Sequence, residues 1–164
     1  MLDQKIQDAF NEQINAEFHS GYLYLSMAAY FESQNLRGMA HWMRIQGQEE
    51  HGHAMKFFDF IHERGGQVML KRIEAPKVEW PSPLAAFEDA YEHERMITGR
   101  INKLVDLAAA QKDHASSVFL QWFVTEQVEE EASALEIVDR LKLGGEQPNF
   151  LFLLDRHLAQ RGRE

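Results

Sequence analysis

Apolar residues recur at alternating steps of three and four along four long stretches of the chain. In the first stretch the repeat includes Ile6, Phe10, Tyr24, Met27 and Phe31. This spacing puts the side chains on one face of an α-helix and predicts a seam that packs into a bundle core. Because the same repeat runs through three further stretches, the pattern predicts four long helices.

Turns and a long link separate the predicted helices. The segments SQNLRG (33–38) and KDHAS (112–116) are short, so each joins antiparallel neighbours. The link between the second and third helices contains three of the four prolines. It has about 18 residues and, extended at roughly 3.3 Å per residue, could reach ~60 Å. Since a helix of about 28 residues is ~42 Å long, this link can leave the second and third helices parallel.

These elements predict an all-α protein. We expect a four-helix bundle with one long crossover over about 3–143, followed by a short fifth helix over about 148–160. The chain of 164 residues is long enough for one hydrophobic core. We therefore expect a single domain over 1–164.

Composition and charge narrow the class of protein. No apolar run approaches the roughly 20 residues of a membrane helix, and the N-terminal stretch lacks the features of a signal peptide, so we expect a cytoplasmic protein with no membrane partner. The absence of cysteine excludes disulfides, zinc–thiolate sites and thiolate-held iron–sulfur clusters. The net charge of −9 argues against nucleic-acid binding and favours the attraction of cations.

Polar residues interrupt each seam near its middle. They are Glu17 on the first helix, Glu50 and His53 on the second, Glu94 on the third, and Gln127 and Glu130 on the fourth. A buried carboxylate costs several kcal/mol unless it is paired, protonated or bound to metal. Because no Lys or Arg occupies the neighbouring seam positions, these glutamates require cations.

The spacing of these polar residues repeats. Glu50 follows Glu17 by 33 residues, and Gln127 follows Glu94 by the same interval. The second set lies 77 residues after the first, so the two hairpins repeat one spacing and would bring it to one central site. Because the second hairpin has Gln127 and Glu130 where the first has Glu50 and His53, the two metals should have unequal surroundings. A Glu on one helix with Glu-x-x-His on the next is typical of di-iron and di-manganese carboxylate bundles. Oxygen ligands with one imidazole favour iron or manganese over softer metals.

The chain resembles the non-haem ferritins of bacteria and archaea over nearly its whole length. The resemblance is carried by the stretches NAEFHSGYLYLSMAAYF, QEEHGHAMKFFDFI, AFEDAYEHERMITGRINKLVDLA and FLQWFVTEQVEEE. It implies a ferritin-like bundle with a ferroxidase centre for two iron ions. One iron would be held by Glu17, Glu50 and His53, and the other by Glu50, Glu94 and Glu130, with Gln127 close by.

The resemblance also implies features around that centre. A third iron site would be formed by Glu49, Glu126, Glu129 and Glu130. Tyr24 matches a tyrosine beside the centre, where it could hydrogen-bond a ligand or supply an electron. Haem is not expected, because His51 stands where haem-binding relatives carry a methionine. His51 itself could be a ligand or an exposed helix residue.

The predicted fifth helix bears on assembly. Its segment FLFLLDRHL is more apolar than a terminal tail needs, so it could cap its own bundle or pack against other subunits. The resemblance implies a homo-oligomer of 24 subunits that forms a hollow shell, with this helix near the four-fold axes.

The expected function is iron storage and detoxification. Fe(II) would be oxidised by O2 or peroxide at the dinuclear centre, and Fe(III) would be stored as a mineral inside the shell. One alternative is a di-iron oxidase or oxygenase that acts on a small organic substrate, which would need a cavity beside the metals. A purely structural bundle would have seams that are apolar throughout, whereas each of these seams contains polar residues.

Overall fold

Five α-helices form the computed structural model, which describes residues 1–145 and 147–162. They are α1 (Gln4–Ser33), α2 (Arg37–Glu63), α3 (Pro83–Ala110), α4 (His114–Gly144) and α5 (Pro148–Leu158). The described residues contain no strand, so the predicted all-α class is confirmed. Residue 146, between the predicted fourth and fifth helices, and residues 163–164 of the predicted domain lie outside the described residues. The single domain over 1–164 stays a prediction.

The two hairpins, α1–α2 and α3–α4, lie with α2 and α3 parallel. Tyr24 near the end of α1 contacts Glu94 in the first half of α3, whereas Gln13 contacts Arg100 further along α3. The helices α1 and α3 are therefore antiparallel. Because α1 is also antiparallel to α2 across a short turn, α2 and α3 run in the same direction, as predicted.

The crossover, residues 64–82, runs along the outside of α1 for most of its length. Near one end of α1, Asn11 Nδ2 donates to the carbonyl of Gln67 (3.0 Å). Near the other end, Ser26 Oγ donates to the carbonyl of Lys77 (2.7 Å). These side chains satisfy carbonyls that have no strand or helix partner and hold the crossover to the bundle.

The short helix α5 packs against the start of α2. Leu154 and Leu158 are buried there, and the Asp155 carboxylate accepts a hydrogen bond from the backbone N–H of Met39 (2.8 Å). This contact supplies the cap that α2 lacks from its own sequence. A Cβ at Gly38 would lie 1.7 Å from the Asp155 carbonyl oxygen, so only glycine allows this approach. Of the two roles considered for the fifth helix, capping its own bundle is confirmed.

The core consists of two apolar clusters with a polar layer between them. One cluster contains Phe31, Met43 and Phe87 and extends to α5. The other is rich in phenylalanine, and its Phe57 and Phe123 rings lie 4.3 Å apart. Each fully buried side chain of this size contributes roughly 1.5–3 kcal/mol to folding. The two clusters thus stabilise the bundle on both sides of the polar layer, which carries the candidate site.

Candidate metal centre

The polar layer brings together the six residues predicted from the seams. All six are buried, with 1 to 5% of their surface exposed: Glu17, Glu50, His53, Glu94, Gln127 and Glu130. Each of these residues stands in a helical seam whose apolar members, before and after it in the sequence, are buried in the core. The i, i+3 spacing of Glu50 and His53, and of Gln127 and Glu130, places both members of each pair on one helix face.

Glu17, Glu50 and His53 form the first ligand group. Each offers a ligand atom, and these atoms all lie within 4.8 Å of one another. His53 Nδ1 is 3.3 Å from Glu50 Oε2. The atom Glu17 Oε1 accepts a hydrogen bond from Gln13 Nε2 (2.8 Å), whereas Glu17 Oε2 is buried without a hydrogen-bond partner.

The unpartnered oxygen is a direct test of fit for a metal ion. Within the described ranges, Glu17 Oε2 and Ser116 Oγ are the only buried side-chain polar atoms without a hydrogen bond. An oxygen in this situation is costly in a protein interior unless something binds it. Two carboxylates and one imidazole around it are a donor set that suits iron.

On the other side of the layer, each oxygen of Glu94 accepts a hydrogen bond from a protein group. The Tyr24 hydroxyl donates to Glu94 Oε1, and Gln127 Nε2 donates to Glu94 Oε2 (3.1 Å). Gln127 Nε2 also lies 3.2 Å from Thr98 Oγ1. The Glu130 carboxylate accepts a hydrogen bond from Gln46 Nε2, across the bundle on α2.

The residues expected at a third site are only partly assembled. Ligand atoms of Glu126 and Glu130 lie within 4.8 Å of one another and of His53. Glu49, in contrast, is paired with Arg161, whose guanidinium lies 2.6 Å from Glu49 Oε2. Glu129 is exposed. The structure therefore brings two of the four expected residues together and leaves Glu49 bound to a cation of the protein itself.

Burial and mutual repulsion raise the carboxyl pKa values in the layer. Burial, with repulsion from Glu50 second, raises the pKa of Glu17 to about 8. Burial and the neighbouring Glu94 raise the pKa of Glu130 to about 7. The same causes raise the pKa of Glu50 well above its ordinary value, and burial raises that of Glu94. A metal ion that binds here would displace protons from these groups.

Two seam residues with no predicted role contact ligand candidates. Gln13 and Gln46 each lie one helical turn before a glutamate of the site, and each donates to a carboxylate of the layer. The only signal in the sequence was their place in the seams, 33 residues apart. Arg161 had no such signal, because it follows α5 and belongs to no seam.

His51 lies outside the centre. Its side chain is exposed, and its ring lies 5.5 Å from that of Phe18 on α1. His53, two residues later, faces the layer and packs edge-on against Trp122 at 5.4 Å between ring centroids. Of the two possibilities for His51, an exposed helix residue agrees with the structure.

Comparison with known proteins agrees with this architecture. The family model of the ferritin-like domain matches residues 7–144. The chain is 48% identical to a bacterial non-haem ferritin of Bacteroides fragilis over 161 residues, which cover 98% of this chain and all of that protein. It is 40% identical to a bacterial non-haem ferritin of Staphylococcus saprophyticus, over 98% of this chain and 96% of that one.

Solved structures give the same result. An open-pore ferritin from the hyperthermophilic archaeon Archaeoglobus fulgidus superposes with a TM-score of 0.97 at 56% identity, over 98% of this chain and 99% of that one. The all-α bundle with a buried carboxylate layer defines the ferritin-like class. The chain belongs to the ferritin family, among the non-haem ferritins of prokaryotes. No helix in the described part of the chain is both long and apolar enough to cross a bilayer.

Proposed function

We propose that the chain is the subunit of an iron-storing ferritin that oxidises Fe(II) at a dinuclear centre inside its own bundle. Iron is the substrate and the cargo of this protein. Two Fe(II) ions held side by side can each give one electron to O2, which takes up two protons and leaves as hydrogen peroxide. The carboxylates favour the Fe(III) product because hard anionic oxygen stabilises the higher charge. The product would then move to a mineral store, which serves both storage and detoxification. Peroxide is the other oxidant we consider.

The polar layer supplies the ligands in this proposal. Glu17, Glu50 and His53 hold the first iron, and Glu50 bridges to the second, which Glu94 and Glu130 complete. Gln127 stays close to the second iron as a hydrogen-bond donor. Tyr24 holds Glu94 through its hydroxyl. Glu49, Glu126, Glu129 and Glu130 make the third iron site.

One observation carries the proposal. The ligand atoms of Glu17, Glu50 and His53 lie within 4.8 Å of one another in the bundle interior, and Glu17 Oε2 has no hydrogen-bond partner there. In a bundle without a metal site, this cluster of two carboxyl groups and an imidazole would only reduce stability. A divalent cation that displaces the proton favoured on Glu17 by burial would occupy this free oxygen and pair with the carboxylate.

The test is iron oxidation in air followed by size-exclusion chromatography. We expect fast formation of Fe(III) absorbance and many irons per chain inside a large particle. Glu50→Ala and His53→Ala remove direct ligands, so each should slow the fast phase by about 100-fold or more, at or beyond the range seen when supporting residues of metal sites are lost.

The chain offers a matched control for each variant. Glu63→Ala removes an exposed glutamate of α2, and His51→Ala removes an exposed histidine of the same helix. Both should leave the fast phase unchanged. Unchanged rates in Glu50→Ala and His53→Ala would place the centre elsewhere.

Assembly into a homo-oligomer of 24 subunits is part of the proposal. Phe152 and Leu153 on α5 are 61% and 63% exposed, although Leu154 and Leu158 of the same helix pack on the bundle. Exposed apolar side chains in adjacent positions favour burial against other subunits. Sedimentation should give one species near 24 chains, and a monomer would contradict the shell.

The cytoplasmic location and the absence of haem and nucleic-acid partners stay predictions.

A di-iron oxidase or oxygenase is the alternative, and one observation favours it. A cavity of about 440 Å³ between α3 and α4 is bordered by Thr98, Val124 and Gln127, so it reaches the second side of the polar layer. A small organic substrate could enter there. In the same iron-loading experiment this enzyme would stop at two irons per chain, whereas a ferritin continues to load.

A further inference from the structure

The turn that follows α5 returns to α2 and anchors Arg161 against it. The guanidinium lies 4.3 Å from the centroid of the Trp42 ring and donates to the Trp42 carbonyl (3.2 Å). The His41 ring nitrogen Nε2 is 2.9 Å from the carbonyl oxygen of Arg161. Both the backbone and the side chain of this residue are therefore held in place.

The same guanidinium reaches two polar side chains of α2. One guanidinium nitrogen of Arg161, Nη2, donates to Gln46 Oε1 (2.9 Å) and to Glu49 Oε2 (2.6 Å). Arginine has only hydrogen-bond donors, so the oxygen of the Gln46 amide must face it. The Gln46 NH2 group then faces the other way and donates to Glu130. Arg161 thereby fixes the orientation of an amide that binds a ligand candidate.

The ion pair with Glu49 bears directly on the third site. Glu126 and Glu130 already lie together there, but the Glu49 carboxylate is engaged by Arg161. A cation at this position would have to take that carboxylate from the guanidinium. It would also meet a fixed positive charge close by, which repels it.

We propose that Arg161 is a positioning residue that withholds Glu49 from the third metal site and keeps Gln46 turned toward Glu130. This inference rests on the proposed function, because it takes Glu49 as a third-site ligand. A third cation then binds only when Glu49 leaves Arg161. The turn that carries Arg161 therefore responds to the occupancy of that site, and the dinuclear centre fills first.

Arg100 provides an internal comparison. Its Nε donates to Gln13 Oε1 (3.0 Å), and Gln13 donates in turn to Glu17. This is the same Arg–Gln–Glu relay on the opposite side of the polar layer. Arg100 makes no contact with Glu49, so Arg100→Gln should leave the affinity of the third site unchanged even where it alters binding near Glu17.

The test is a calorimetric titration with Co²⁺, which does not oxidise in air. We expect two cations per chain at the centre of the wild type and a third that binds more weakly. In Arg161→Gln the third should bind about fivefold more tightly, the change expected for loss of a partly exposed competing ion pair. Arg140→Gln is the matched control, because Arg140 borders the same cavity as Arg161 but pairs with Glu136. It should bind the third cation as the wild type does.

A spectroscopic readout follows the guanidinium itself. Trp42 emission is isolated by the substitutions Trp80→Phe and Trp122→Phe. It is followed with Zn²⁺, a d10 ion that does not itself quench tryptophan, and should change as the third equivalent draws Glu49 from Arg161. Arg161→Lys keeps the charge but cannot hold both α2 side chains in the same geometry. It should give a third-site affinity between those of the wild type and Arg161→Gln.

The outcomes distinguish a failure of the dinuclear centre from a failure of the role of Arg161. If the wild type does not bind the first two equivalents, the dinuclear centre is wrong, and the role of Arg161 fails with it. If the first two bind but the third is absent, or binds equally in wild type and Arg161→Gln, the centre stands and the role of Arg161 is overturned. A Trp42 emission that does not respond to the third equivalent also overturns it.

Discussion

Glu17 and Glu94 occupy equivalent positions of the two hairpins, 77 residues apart, yet their surroundings differ. Glu94 has both oxygens hydrogen-bonded, one by Tyr24 and one by Gln127. Glu17 receives one hydrogen bond, from Gln13, and its second oxygen has none. The protein therefore satisfies one of the two carboxylates itself and leaves the other to a ligand from outside.

This difference indicates an order among the metal positions. A cation at Glu17, Glu50 and His53 gains an oxygen that accepts no hydrogen bond, and it displaces the proton that burial favours on Glu17. A cation at Glu94 must share a carboxylate whose two oxygens already accept hydrogen bonds from Tyr24 and Gln127. We expect the first position to bind more tightly, although the two hairpins repeat one pattern of polar residues.

The largest effect we predict is on the pH dependence of the metal-free protein. The pKa of Glu17 rises on folding from 4.5 to about 8, so the folded state holds a proton that the unfolded state has lost between these pH values. The free energy of unfolding therefore falls as the pH rises through this window. The contribution of Glu17 amounts to roughly 4 to 5 kcal/mol. Glu17→Gln should match the wild type near pH 4.5 and exceed its stability at pH 8.

Chemical denaturation with a chelator, at fixed protein concentration, measures this difference. Glu94→Gln is the comparison. Its amide NH2 group would face either the Tyr24 hydroxyl or Gln127 Nε2, each of which donates to Glu94 in the wild type, so one hydrogen bond would be lost. It should gain less stability at pH 8 than Glu17→Gln does. Parallel stability curves for wild type and Glu17→Gln across this window would show that Glu17 does not hold the proton.

The next effect concerns Gln127, which stands where the first hairpin has Glu50. Gln127→Glu would remove the donor to Glu94 and place two buried carboxylates side by side. We expect the metal-free protein to lose about 2 to 3 kcal/mol of unfolding free energy at pH 8. Co²⁺ should restore much of the loss. Gln121→Glu, at an exposed position of α4, should cost almost nothing, and an equal loss in both variants would contradict the assignment.

Removal of the Tyr24 hydroxyl should have a smaller effect. Its hydrogen bond lowers the pKa of Glu94 against the effect of burial, which raises it. Tyr24→Phe should therefore cost about 1 to 2 kcal/mol in the metal-free protein at pH 8 and raise the pKa of Glu94. Tyr22→Phe is the matched control, because Tyr22 is 50% exposed. If both substitutions cost the same, the hydroxyl does not hold Glu94.

Much of the fold could be predicted from the sequence because the seams are periodic. Four stretches of repeated apolar positions indicate four helices, and the length of the proline-containing link permits parallel α2 and α3. The interruptions at Glu17, Glu50 and Glu94 could be recognised because they recur at one interval. A residue that repeats a pattern can be found without coordinates.

The contacts that control these residues could not be predicted in the same way. The free oxygen of Glu17 and the fully bonded carboxylate of Glu94 depend on which side chain reaches which atom, and that is set by helix rotation and spacing. The contact of Arg161 with Glu49 joins residues 112 positions apart through a turn that has no periodic signal. The difference is largest at the third site, because nothing in the sequence indicates that Glu49 forms an ion pair with Arg161.

The smallest effect we predict tests whether two facing glycines allow α1 and α2 of the first hairpin to approach closely. Gly21 and Gly47 face each other, and a Cβ on Gly47 would lie 3.2 Å from the backbone oxygen of Gly21. The equivalent positions of the second hairpin are Thr98 and Val124, which already carry a Cβ.

Gly47→Ala must push α1 and α2 apart by a few tenths of an ångström, and we expect a net loss of about 1 kcal/mol. Because this contact lies beside Glu50, Co²⁺ affinity at the first position should fall as well. Gly52 lies on the same helix, and a Cβ there would meet nothing within 4 Å. Gly52→Ala should therefore raise the free energy of unfolding by about 0.5 to 1 kcal/mol. If Gly47→Ala gains stability as Gly52→Ala does, the close contact is not what distinguishes the two hairpins.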